Sequence, residues 1–290
     1  MIELALTPEQ ESFAKSTAAV VERHGAVGAL VATAELWWAL ADLGVLGVCA
    51  SEIGGTPLDL VAAMQAAGSR TCPGPLVAAA AAGEVLTGDE LDAILAGERR
   101  ATLVGNGLVP WSPEADILLE LADDGAWRVE VDDLVPISTL SGEPWGRGRI
   151  RRVHRLGDAS PAVVLAELAA AAYLLGAGID LVRRTADHAR SRVQFKRPIG
   201  DFQAVAHPLA RSHAELNATV ELVRLLAQGD TTPAGARAAR TEAARVSRLA
   251  SDRAHQAFGA VGFALETGVA ATTTRIRQWA VLPITVERTL

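Results

Sequence analysis

Cysteine is nearly absent: Cys49 and Cys72 are the only two in 290 residues, with no CxxC spacing and no companion histidine cluster. A disulfide framework and a zinc site are therefore not indicated, and two buried or idle thiols are expected. Positive charge is also in short supply, with a net charge of −7 and a pI near 5.4. A general nucleic-acid binder needs a basic footprint to neutralise phosphates, so that class is set aside and any anionic ligand must be held by local arginines. No apolar run qualifies as a membrane span. The longest, residues 162–181, is interrupted by Glu167 and Asp180 and is rich in Ala rather than Leu. The first ten residues lack the basic start and apolar run of a signal peptide, so a cytoplasmic location is expected.

Half of the residues are hydrophobic, enough for a real core and for two or three sub-domains. Thr7 followed by Pro8, with Gln10 three residues after the cap, predicts a helix to about His24. A second helix is predicted over Glu35 to Leu43, with Gly44 able to end it in the left-handed conformation. Thr56-Pro57 opens a third, to about Gly68, and Ala-rich helices follow over Leu76 to Leu86 and Glu90 to Ala96. From Ala101 to His154 the texture changes to short apolar runs separated by Pro, Gly and Asp. These predict strands over Ala101 to Val104, Ile117 to Leu121 and Trp127 to Val131. Ser160-Pro161 then starts a helix to about Arg192, and two more long helices are predicted over Asp201 to Gln228 and Pro233 to Gly259. Helices of this length need neighbours for their apolar stripes, which implies a bundle. The expected organisation is mainly α with a small central β part: residues 1–99 helical, 100–158 a β insert, 159–290 a helical bundle.

The stretch from Arg190 to His207 carries Arg192, Gln194-Phe195, Pro198-Ile199 and Phe202-Gln203 before the histidine. This resembles the most recognisable segment of the acyl-CoA dehydrogenase family. Two weaker matches accompany it. Leu43 to Gly55 looks like the family's glycine-marked N-terminal loop, and His255 to Phe263 resembles its Gln-x-x-Gly-Gly-x-Gly-Phe segment. The resemblance implies an N-terminal helical domain, a middle β domain and a C-terminal four-helix bundle, with FAD between the last two and reaching a neighbouring subunit. It also implies an acyl-CoA substrate, removal of its α-proton by a carboxylate, hydride transfer to flavin, and an electron-transfer flavoprotein as electron acceptor.

Carried over residue by residue, the resemblance makes Arg192 a contact to the FAD pyrophosphate, Phe195 a packing partner of its adenosine and Gln203 a hydrogen-bonding group. Gln256 and Gly259 would approach FAD from the neighbouring subunit. Taken alone, Arg192 is equally a solvated cation complementing a helix dipole. Several positions depart from the pattern. Lys196 stands where the motif usually has Gly, Ala260 replaces one of the paired glycines, and Pro208 is expected to kink its helix. The β part is about half the usual size and lacks the flavin-cradling segment. The basic run Arg147, Arg149, Arg151, Arg152 and Arg155 could meet CoA phosphates or simply guard a strand edge.

The usual base position falls near Pro283, where the only later carboxylate is Glu287. An alternative family position on the first bundle helix lies within one residue of Glu167, which is otherwise a polar residue on an exposed helix face. Two readings follow. In the first, the chain is half of an α2β2 dehydrogenase sharing an FAD site with a larger homologous subunit, as in the heteromeric steroid side-chain dehydrogenases that it resembles. In the second it is a non-catalytic assembly partner. A lone enzyme acting on a carrier-protein thioester fits less well, because the β part is cut down.

Overall fold

The computed structural model describes residues 5–25, 28–50 and 53–286. Helices α1 (Pro8–His24), α2 (Ala34–Asp42), α3 (Pro57–Ser69), α4 (Leu76–Val85) and α5 (Asp89–Leu95) form the N-terminal part. Their starts follow the sequence signals: Thr7 and Gln10 cap each other's backbone N–H at the head of α1, and Thr56 and Asp59 do the same at α3. Gly44, after α2, is left-handed (φ 82°), the conformation that ends a helix without a Cβ penalty.

The β part is larger than the three predicted strands. Strands β1 (Ala101–Leu103), β2 (Leu108–Val109), β3 (Ile117–Ala122), β4 (Gly125–Ile137) and β5 (Trp145–Gly157) form one sheet in the order β1-β3-β4-β5-β2, with β1 parallel to β3. The predicted strand at Trp127 extends into a 13-residue arm of a hairpin whose return arm is the arginine-rich run. That run has a strand's period of two, but its charges hid it from an apolar-pattern reading. Three of its five arginines pair with acids on the neighbouring strands β4 and β3. Arg151 meets Glu130, Arg152 clasps Glu120 with two 3.0 Å contacts, and Arg149 lies 3.6 Å from Asp132 and 3.5 Å from Asp133. These three arginines are engaged within the sheet, while Arg155 donates to the Asp124 carbonyl.

The C-terminal part contains α6 (Ser160–Ser191), α7 (Gln203–Gln228), α8 (Pro233–Phe258) and α9 (Val269–Trp279), and a small hairpin, β6 (Val193–Gln194) and β7 (Arg197–Pro198), sits between α6 and α7. Neither α9 nor this hairpin was legible in the sequence. Ser160 opens α6 but does not cap it. The Asp158 carboxylate accepts both its N–H (3.1 Å) and its hydroxyl (3.0 Å). Helix α7 runs through Pro208 without interruption, so the predicted kink does not break it. By length and composition α6 could cross a membrane, yet it is the central helix here, packed by α3, α4, α7, α8 and α9. It lies so close to α3 that a Cβ on Gly176 would stand 1.9 Å from the Gln65 carbonyl oxygen, and one on Gly68 2.0 Å from that of Tyr173.

A buried polar knot joins the three parts. The Arg275 guanidinium on α9 meets Glu143 at 3.3 Å and donates to the carbonyls of Ala29 (2.6 Å), Thr71 (3.1 Å) and Cys72 (3.3 Å). Trp279 donates to Glu143 (3.2 Å), Tyr173 donates to the Cys72 carbonyl (2.8 Å), and the Tyr173 and Trp279 rings stack at 3.5 Å. Burial pushes both thiols, Cys49 and Cys72, up to about 12, as expected of idle cysteines. The α3–α6 contact has no room for a methyl group. Gly176→Ala is therefore expected to lower unfolding stability by about 2 kcal/mol, measured by urea denaturation, whereas Gly229→Ala, whose Cβ would meet only the Leu225 carbonyl oxygen at 3.8 Å, should change little.

Candidate functional site

Helix α6 ends at Ser191, and Arg192 is its C-cap, with its N–H bonded to the His188 carbonyl. The chain then turns back through β6 and β7, closed by Ile199 N–H donating to the Arg192 carbonyl (2.8 Å), and enters α7 at Gln203. Helix α8 arrives at the same end and stops at Phe258, whose ring stacks on His188 at 4.1 Å. Gly259 follows at φ 62°, ψ −144°, a backbone region essentially reserved for glycine. Nothing lies within 4 Å of where its Cβ would be, so the backbone there is open to an approaching group.

The five residues assigned to FAD by resemblance, Arg192, Phe195, Gln203, Gln256 and Gly259, thus share one end of the bundle, and all five are exposed. Phe195 at the hairpin tip is 86% exposed and Phe263 71%. Exposed aromatic rings beside an arginine and two amide side chains suit an adenine nucleotide: a planar ring to stack and a pyrophosphate to neutralise. The residues therefore fit the nucleotide half of FAD. Among the described residues only the two-residue strands β6 and β7 lie at this end; the five-stranded sheet joins the opposite end of α6, where β5 ends at Gly157 and α6 begins at Ser160.

Glu167 is elsewhere. It lies 25 residues before Arg192 on the α6 side, which at 1.5 Å per residue separates them by roughly 37 Å. Its side chain is fully buried, not on an exposed face. One oxygen lies 2.5 Å from Arg240 Nε and the other 3.9 Å from Arg237 Nε, both arginines on α8. Burial pushes the Glu167 carboxyl above the ordinary carboxylate range, with Arg240 opposing the shift.

The same two arginines grip the segment after α9. Arg240 donates to the carbonyls of Ala280 (3.4 Å) and Leu282 (3.3 Å), and Arg237 to the Thr285 hydroxyl (3.2 Å). This segment, which covers the place where the resemblance would put a base, is packed inward. Leu282 and Ile284 are buried, Pro283 lines a small, mainly apolar crevice with Val77, Leu103 and Trp111, and Val286 N–H donates to the Leu121 carbonyl (2.9 Å). Glu287 lies outside the described residues, as do Ser51 and Glu52 of the N-terminal loop. Sequence reasoning missed Arg237 and Arg240. Their only signal was a pair of cations three residues apart on one face of an Ala-rich helix, opposite an isolated Glu.

Comparison with known proteins agrees with this architecture. Residues 165–282 match the family model "Acyl-CoA dehydrogenase, C-terminal domain". The acyl-CoA dehydrogenase FadE12 of Mycobacterium tuberculosis is 37% identical over 130 residues, which cover 41% of this chain and 32% of FadE12, about a third of that relative's length. Among solved structures, the ChsE4-ChsE5 complex from Mycobacterium tuberculosis superposes with a TM-score of 0.77 at 21% identity, covering 96% of this chain and 94% of the other. PigA with FAD and proline superposes with a TM-score of 0.79 at 16% identity, covering 98% and 96%. At those identities the structures establish the fold alone. Residues 165–282 are thus similar to the C-terminal domain of acyl-CoA dehydrogenases, and the chain as a whole shares the fold of these solved structures.

Proposed function

We propose that this chain is a cytoplasmic subunit of an FAD-dependent acyl-CoA dehydrogenase that catalyses α,β-dehydrogenation of a CoA thioester. In this reading its active site is shared with a larger homologous subunit in an α2β2 assembly, and an electron-transfer flavoprotein takes the electrons. The observation that carries the proposal is the open end of the bundle, where Arg192, Phe195, Gln203, Gln256 and Gly259 are all exposed, with only the short β6–β7 hairpin beside them and the five-stranded sheet at the other end of α6. Residues disposed in this way complete a cofactor site only against another subunit. FAD, when bound, supplies the hydride acceptor. On this chain Arg192 neutralises the pyrophosphate, the two amides fix the nucleotide's orientation, and Phe195 covers its adenosine. The heteromeric ChsE4-ChsE5 complex and the FAD-bound PigA, both of the same fold, support the reading.

Removal of the α-proton falls to the larger subunit. A general base must reach its proton. Glu167 is enclosed and held by Arg240, and the segment around Pro283 is packed against the sheet. Here Glu167 acts as a clamp: it fixes the two arginines that hold the last described residues in place. The non-catalytic alternative is thereby favoured for the proton-transfer step, while the cofactor contacts remain this chain's contribution.

Expressed alone, the chain is expected to purify nearly colourless, and co-expression with a full-length homologue should bring stoichiometric flavin absorbance. A homogeneous lone chain carrying one FAD per protomer would refute the shared site. In the assembled complex, Arg192→Ala should weaken FAD retention by about 1.5–3 kcal/mol, followed by flavin release on dilution, with the unfolding midpoint little changed. Glu167→Gln leaves Arg240 facing a neutral group in a buried site. It should destabilise the isolated chain by about 3 kcal/mol in a denaturant titration, yet leave the rate of substrate bleaching per bound flavin at the parental level. A variant that keeps its flavin, binds acyl-CoA and no longer bleaches would make Glu167 the base.

A further inference from the structure

The tip of the β6–β7 hairpin is a two-residue turn, Phe195-Lys196, in which both residues are left-handed: φ is 51° at Phe195 and 68° at Lys196. Such a turn strongly prefers glycine or asparagine, because a Cβ in this region crowds the following carbonyl. At position 196 the family motif has glycine, and here a long side chain stands in its place. A strained residue persists where it does something that the relaxed one cannot.

Its charge suggests what that is. The chain has 27 lysines and arginines, of which only two, Lys15 and Lys196, are lysine. Lys15 pairs with Glu11 on α1, and the arginines just before the hairpin are also engaged: Arg183 and Arg184 with Asp180, and Arg190 with Asp187. The picture changes at the hairpin. Among the described residues neither Arg192 nor Lys196 makes an ion pair, and Arg197 lies over the Phe202 ring at 4.1 Å with no carboxylate partner. Three cations without acidic partners, grouped on an exposed turn of an acidic protein, form a local anion site.

We propose that Lys196 is a second cationic contact, beside Arg192, to the phosphates of the dinucleotide held at this end of the bundle, and that the strained turn is retained for it. The proposal rests on the FAD placement argued above. An ammonium on a four-carbon stem follows a phosphate as a mobile point charge, whereas Arg192, fixed at the helix end, can present a rigid fork. Together they would supply two positive charges to the pyrophosphate, one from the end of α6 and one from the hairpin tip.

The test uses this chain co-expressed with its full-length homologue, stripped of flavin and titrated with FAD. Lys196→Gly and Lys196→Gln should each weaken FAD binding by about three- to fivefold at low salt, a range typical of one exposed charge contact, and the difference should shrink as salt is raised. Lys196→Arg should bind as the parent does. The isolated Lys196→Gly chain should unfold at a midpoint no lower than the parent, since glycine adopts the turn without strain, so weaker binding cannot be laid to misfolding. If Lys196→Gly and Lys196→Gln bind FAD as tightly as the parent while Arg192→Ala does not, Lys196 is no phosphate contact and the FAD placement stands. If Arg192→Ala also binds normally, the placement falls and this inference with it.

Discussion

A guanidinium buried in a protein interior remains charged only if its donors all find acceptors, and Arg275 meets that condition by drawing on the whole chain. Its acceptors are two stretches of N-terminal backbone, around Ala29 and Thr71-Cys72, and the carboxylate of Glu143 on the loop between the long β arms. Around it, Tyr173 from α6 stacks on Trp279, and the Gln278 side chain accepts the Leu140 N–H. The ionic contact itself adds little net stability against an apolar core of the same shape. What it adds is specificity, since only one relative placement of helical domain, sheet and bundle satisfies the group. The open end and the clamped end of α6 inherit their positions from it.

The length of α6 decides how the two candidate regions relate. Arg192 and Glu167 belong to one rigid helix and face different surroundings roughly 37 Å apart, one open and cationic, the other sealed by Arg240 and the returning C-terminal segment. A single chain cannot bring these ends to one ligand. Any reaction centre that uses both must be built from more than one protomer, which is the geometric content of the subunit reading.

Much of this was legible in the residues. Thr7-Pro8, Thr56-Pro57 and Thr232-Pro233 mark helix starts because the cap and the fixed proline φ are local chemistry, and all three helices begin there. The order helical, β, helical followed from where the apolar texture changed, and the cluster of cofactor-type residues from one contiguous motif. What could not be read depends on distant partners. The arginine run suited either phosphate contacts or a strand edge, and the acids that pair with Arg151 and Arg152 lie about 20 to 30 residues away. Glu167 looked exposed because an Ala-rich helix offers little contrast between its faces, and its two arginines lie seventy residues or more further on. The left-handed turn at Phe195-Lys196 was hidden because neither residue announces a positive φ.

The polar knot around Arg275 also sets the order in which the molecule can be completed during synthesis. The carbonyls of Ala29, Thr71 and Cys72 leave the ribosome two hundred residues or more before the Arg275 side chain that will donate to them. The edge of β3 at Leu121 likewise waits for Val286. Through most of translation the N-terminal helices and the sheet therefore carry polar groups that only water can satisfy, and contacts this distant in sequence close slowly. The nascent chain spends its longest-lived state with an unsealed seam, which is the condition under which an early encounter with a partner chain, or with a chaperone, matters most.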